Sequence, residues 1–117
     1  MPTPLHFGRD TAGYNAYAPD PSTTIYNATI TNGNETHITV PSTVSQWVVA
    51  FSYQPGTDVW VDFSGATAAA PVGATLASAT SELNPAARTV YSGSKISMIT
   101  DSTSADVSVA FYAVAYT

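Results

Sequence analysis

The sequence predicts an all-β fold: an antiparallel β-sandwich, jelly-roll or immunoglobulin-like in topology, with an extended N-terminal arm. Three observations carry that prediction. Short runs rich in Val, Ile, Thr, Trp, Tyr and Phe recur along the chain, the residue types that suit a pleated, half-buried surface. Turn chemistry separates these runs at Asn32-Gly33, Pro55-Gly56, Asn84-Pro85 and Gly93. No stretch carries a convincing helical period, so seven or eight short strands spaced by turns is the pattern to explain.

Residues 1–22 hold Pro2, Pro4, Pro19 and Pro21 together with Gly8 and Gly13. Proline removes ladder donors and pushes the preceding residue to extended geometry, so this segment reads as an arm outside the central sheet. Leu5, Phe7, Tyr14 and Tyr17 punctuate it, more large apolar groups than a disordered linker carries. Such an arm packs either across its own domain or over a neighbouring subunit. Residues 23–117 then form one sandwich domain.

Residues 23–31 (TTIYNATIT) alternate, and Asn32-Gly33 leads back into 35–40 (ETHITV), which predicts a hairpin closed by Pro41. A second hairpin is expected where Gln46–Tyr53 and 58–63 flank Gln54-Pro55-Gly56-Thr57. Its strands carry the densest aromatic content of the chain and belong at the centre of a sheet. Residues 64–81 are rich in Ala, Gly, Ser and Thr; Pro71 and Gly73 argue against a long helix, leaving a loop with a short strand at 74–77. After the turn at Asn84-Pro85, residues 87–92 and Lys95–Thr100 make a third hairpin at Gly93.

The last strand, 106–116, is apolar on both faces. Val107, Val109, Phe111, Ala113 and Ala115 share one side, and Ala110, Tyr112, Val114 and Tyr116 the other. A two-layer sandwich covers only one side, so the arm or a partner subunit must cover the second.

Composition narrows function mostly by exclusion. At 117 residues the chain is one domain, and 44% hydrophobic residues fill a core without staples. Only 9% of residues are charged, where about 25% is usual, so Ser, Thr, Asn and backbone supply the polar surface. Three Lys and Arg against eight Asp and Glu give a net charge of −5. Arg9, Arg88 and Lys95 are scattered, whereas a nucleic-acid partner needs clustered cations. The absence of cysteine removes disulfides, thiolate zinc sites and Cys nucleophiles. The N-terminus lacks a cationic region followed by an apolar one, and no apolar run approaches the ~20 residues of a spanning helix. Synthesis in a cytoplasm is the expectation, with no membrane partner.

Candidate sites are few. His6 and His37 stand apart and lack the further ligands of a zinc site; His37 shares a face with Glu35 and Thr39. No G-x-S-x-G elbow accompanies the serines, so no catalytic residue, metal ligand or cofactor is predicted. Asp58 and Asp62 flank Trp60 on one strand face, as a sugar platform or as an interfacial Trp. Asp101 and Asp106 bracket a polar loop without calcium-loop spacing. Asn27-Ala28-Thr29 and Asn34-Glu35-Thr36 match glycosylation sequons. Phe7, Tyr14, Tyr17, Trp60, Tyr112, Val114 and Tyr116 are the interface candidates.

From residue 58 onward the order VWVDFSG, an Ala/Pro-rich loop, SELNPAAR, SGSKISMI and VSVAFYAV resembles small virion structural proteins of tailed bacteriophages. The resemblance covers about half the chain. It implies a β-sandwich that decorates or cements a phage head, located on the capsid surface. Its implied partners are the major capsid protein and further copies of itself, as a dimer or trimer. The alternative reading is a carbohydrate- or receptor-binding module of a phage tail or cell-surface assembly, carried by Trp60 between its two aspartates.

Overall fold

The computed structural model describes residues 2–9, 11–72 and 79–115, without the side chains of Asn15, Ala16, Tyr17 and Ala115. It is all-β: ten strands and no helix among the described residues. Two short strands, β1 (Phe7–Arg9) and β2 (Asn15–Pro19), pair as a ribbon within the arm. The body has eight, β3 (Thr24–Thr31), β4 (Thr36–Thr39), β5 (Gln46–Tyr53), β6 (Val59–Asp62), β7 (Ser81–Leu83), β8 (Ala87–Tyr91), β9 (Lys95–Thr100) and β10 (Ser104–Ala115).

The eight strands form two four-stranded antiparallel sheets, ordered β3-β10-β5-β8 and β4-β9-β6-β7. This order is a jelly roll. The first half of the body pairs antiparallel with the second at a nearly constant register: Thr31 faces Ser104, Thr36 faces Met98, Gln46 faces Tyr91 and Trp60 faces Leu83. Rolling that long ribbon adds a second set of pairs, β10 with β5 and β9 with β6, and closes the two layers.

None of the three expected hairpins is a hairpin. The turns at Gly33, Gly56 and Gly93 exist, each with an N–H to C=O bond across four residues: Asn34 to Thr31, Thr57 to Gln54 and Ser94 to Tyr91, at 3.1, 3.3 and 3.2 Å. Their flanking strands, however, lie in opposite sheets. Dihedral geometry supplies the reason. Only the glycine, at the second central position, has positive φ (78°, 78° and 80°), whereas Asn32, Pro55 and Ser92 do not. That is type II geometry, which splays strands, where a two-residue hairpin wants positive φ at the first central residue. The freed edge of each arch is bonded to an arch from the other half. Asn32 donates to the Thr103 carbonyl at 3.1 Å, and Val40 and Ser94 are joined at 2.8 Å. Asn84, with φ of 45°, clasps the 54–58 arch, its Oδ1 accepting from Val59 N–H at 2.7 Å and its Nδ2 donating to the Thr57 carbonyl.

The core lies between the sheets. Trp47, Val49, Val107, Val109, Phe111 and Ile30 from one layer meet Val59, Val61, Ile96 and Met98 from the other, all buried. Phe111 is wedged edge-on between Trp47 and Tyr26, at ring distances of 5.7 and 5.4 Å. β5 and β6 occupy interior positions in their respective sheets, so the aromatic-rich stretch is central to both layers. At the open edge Arg88 of β8 reaches across to Glu82 of β7, tying the two layers together.

The strand β7 was not expected: three residues on an edge, SEL, leave almost no periodicity to read. The short strand expected at 74–77 lies outside the described residues. The arm begins by packing on its own domain. Ala113 N–H donates to Thr3 at 2.8 Å and Leu5 N–H donates to Ala113 at 3.0 Å, placing residues 3–5 parallel to β10 beyond the end of β3. Ser22 Oγ donates to the Phe111 carbonyl at 2.6 Å, and Tyr112 OH to the Asp20 carbonyl at 2.7 Å. Tyr112 is therefore buried by its own chain. The second apolar face of β10 is covered there by the returning arm.

Between those two anchors the ribbon β1–β2 stands off the body, packing mainly on itself. The radius of gyration, 15.6 Å, accordingly exceeds the about 13 Å of a compact chain this long. Since added Cβ atoms at Gly33, Gly56 and Gly93 meet nothing within 4 Å, the cost of Ala there is purely backbone. Each Gly→Ala should lower unfolding free energy by about 1–2 kcal/mol in urea titration. Gly8→Ala, at ordinary φ, should change little.

Candidate functional site

The interface candidates among the described residues lie on separate parts of the molecule. Phe7 and Tyr14 sit on the ribbon and are exposed, Tyr14 at 72%. Val114 is exposed at the end of β10, beside the residue that pairs with the arm. Trp60 lies on the outer face of the other sheet. The side chain of Tyr17 and all of Tyr116 lie outside the described residues.

Trp60 is no open platform between two carboxylates. It stands in an apolar cross-strand row with Ile99 and Leu83, half-buried, and its indole N–H is buried without a partner among the described residues. Asp58 is exposed, but Asp62 is 1% exposed and fully engaged. Its Oδ1 accepts from Ser64 N–H at 2.8 Å and Ser64 Oγ at 2.5 Å; its Oδ2 accepts from Thr80 Oγ1 at 2.6 Å. These bonds draw the start and the end of the 63–80 connection onto the outer face of the sheet. A buried, saturated carboxylate has a structural role.

A second polar cluster continues along the same face. Ser97, fully buried, accepts from Ala68 N–H at 2.9 Å and donates to Glu35 Oε2 at 2.6 Å. Glu35 Oε1 lies 3.1 Å from His37 Nδ1, and Lys95 Nζ lies 3.9 Å from Oε2. Sequence reading placed Glu35 and His37 together but missed Ser97, the residue that joins them to the connection. Its signal was a serine at mid-strand in KISMIT, between two apolar residues. Ser, Glu and His meet here, yet Ser97 Oγ is sealed beneath Ala68 and faces no cleft, so no nucleophile is presented.

The remaining candidates are dispersed. His6 lies 3.5 Å from Asp20 at the ribbon's base. Asp106 Oδ1 accepts from Thr29 Oγ1 at 2.7 Å, while Asp101 contributes its backbone carbonyl to Asn32 Nδ2 at 3.0 Å. Among the described residues no three His, Asp or Glu side chains are grouped to hold a metal ion. Arg9 is on the ribbon, Arg88 on an edge and Lys95 on the second sheet, with no cationic surface between them. No protein-family model, curated protein or solved structure matches this chain.

Burial alone would raise the pKa of Asp62, but the hydroxyls of Ser64 and Thr80, the Ser64 N–H and the Ser81 hydroxyl outweigh it and hold the group below its ordinary value. Glu35 is lowered by the Ser97 hydroxyl first and then by His37, with burial opposing. A carboxylate depressed in the folded state adds stability that is complete above its unfolded pKa, about 4, and lost as pH falls through the folded value. Asp62→Asn should therefore cost about 1.5–3 kcal/mol at pH 7. It should also flatten the stability profile below about pH 4, as measured by denaturant melts across pH.

Proposed function

We propose that the chain is a virion structural protein, a decoration or cement protein that binds major capsid subunits of a phage head. The observation that carries this reading is the ribbon β1–β2: a two-stranded element standing off a closed jelly-roll body, with Phe7 and Tyr14 exposed on it. An isolated two-stranded ribbon is marginal in water, and its outer strand edges are templates for further pairing. Docking on a partner surface supplies the missing cover. The body itself spends its apolar strands on one core and anchors its own arm, which makes it a rigid mount for that ribbon.

The resemblance of the second half to phage virion proteins supports the same reading, as do the low charge and the lack of cysteine. Jelly rolls serve in viral capsids and in lectins alike, so the fold adds nothing to the choice between them. On this reading the protein is not an enzyme. It sits on the capsid surface, and it associates with itself as a dimer or trimer through the ribbon or the apolar row at Trp60. A carbohydrate site at Trp60 is the weaker reading, because Asp62 is covered by the 63–80 connection and saturated by Ser64 and Thr80.

Mass spectrometry of purified virions should find the protein at a copy number comparable to the capsid protein. The ribbon's role is tested by replacing residues 7–19 with Asn-Gly, which keeps the base bond from Asp20 N–H to the His6 carbonyl at 3.2 Å and the 3–5 pairing. That variant should remain folded, elute as a smaller species by light scattering and be missing from virions. Few copies in the virion, or equal loading of the variant, would reject the proposal.

A further inference from the structure

The outer face of the first sheet carries an open groove of about 370 Å³ where β3, β10 and β5 run side by side. Register builds it. Ser108 lies directly between Asn27 of β3 and Ser52 of β5, and Asp106 lies beside Thr29. Alternation puts these five side chains on one face. Ala28, Val107 and Tyr53, between them in sequence, also line the groove, but their strand positions face the core. Short side chains along three adjacent strands leave the depression, and polar groups line it.

Those groups are held in place but not used up. Thr29 Oγ1 donates to Asp106 Oδ1 at 2.7 Å, fixing the carboxylate while its other oxygen is left without a partner among the described residues. Gln54 Oε1 accepts from Asp106 N–H at 3.1 Å, and Gln54 N–H donates to the Asp106 carbonyl at 2.8 Å, which pins this end of β10. The Asn27 amide and the Ser52 and Ser108 hydroxyls make no hydrogen bond within the described chain. Two hydroxyls, one amide and one carboxylate oxygen thus converge on a single open site of a volume usual for small ligands.

We propose that this groove binds a neutral saccharide. A sugar ring offers adjacent hydroxyls, each both donor and acceptor, to match Ser52, Ser108 and Asn27, and the Asp106 carboxylate accepts from such hydroxyls. The same carboxylate, on a chain of net charge −5, opposes phosphates, sulfated glycans and sialic acids. A single carboxylate is too few ligands for a hard cation. Apolar ligands leave the polar lining unpaired. Among the described residues no aromatic side chain occupies a groove-facing strand position, Tyr53 being on the core side, so one site binds weakly and useful avidity comes from many copies. The groove lies on β10 at Asp106 and Ser108, remote from Ala113 where the arm is paired, so it does not depend on ribbon docking.

The test is a glycan array carrying neutral and sialylated glycans, probed with the full chain displayed multivalently and made without glycosylation, since Asn27 opens a sequon. Wild type should retain neutral glycans. Asn27→Ala and Ser52→Arg, both at exposed positions, should lose about tenfold or more, the equivalent of one good hydrogen bond. Trp60→Ala should bind as wild type. Thermal melts check that the variants fold, and amide NMR shifts with the retained sugar should move at Asn27, Ser52, Asp106 and Ser108. The proposal is overturned by an array without neutral-glycan signal, by preference for sialylated glycans, by loss on Trp60→Ala alone, or by capture on oligo-lysine peptide instead of glycan.

Discussion

The antiparallel pairing of residues 24–62 with 81–115 is the constraint on which the rest of this molecule depends. Each strand of the first half finds its partner in the second at almost the same register. Such a ribbon would expose one whole apolar face. It buries that face by rolling, and it can roll only where each half bends at the same place. The bends are therefore matched: Asn32 against Thr103, Val40 against Ser94, Thr57 against Asn84. Every pair of arches exchanges bonds that a simple hairpin would have kept within its own turn. The 63–80 connection is the ribbon's closed end, and the buried Asp62 holds both ends of it.

That arrangement explains a feature of the last strand. β10 is twelve residues long and lies between β3 and β5, so both its edges are paired and one face is in the core. It outlasts β3, whose pairing stops where Thr24 faces Phe111. The vacant ladder position beyond is filled by residues 3–5, running parallel. The two-faced apolarity of β10 near Tyr112 is thus a requirement of the arm's return path. It leaves the ribbon, held at its base by Thr3–Thr23 and His6–Asp20 contacts, as the projecting element.

The sequence made the strands legible and their partners illegible. Gln46–Tyr53 and Lys95–Thr100 are read to the residue, and the other long strands to within one or two. Local periodicity and β-branched content fix where a strand is, because those depend on neighbours in the chain. The pairing fails because Asn-Gly and Pro-Gly fit type II arches as readily as hairpins. The choice is made by pairings that no local pattern records, as distant as Thr24 with Phe111. The same limit applied to the surface. Trp60 and Asp62 alternate as an exposed pair would, but Ala68 and Thr80 come from a low-complexity stretch and cover that face. The groove was invisible for the opposite reason: Asn27, Ser52 and Ser108 are unremarkable apart and meet only through the register of three strands.

This topology also grades the cost of closing each strand pair. Among the paired strands of the body β6 and β7 are closest in sequence and share the 63–80 closure, while β3 and β10 are separated by most of the chain. Loop-closure entropy grows with separation, so among the pairs of the body closure costs least for β6 with β7 and most for β3 with β10. The arm's ladder position, against Ala113, exists only where β10 runs on beyond its pairing with β3.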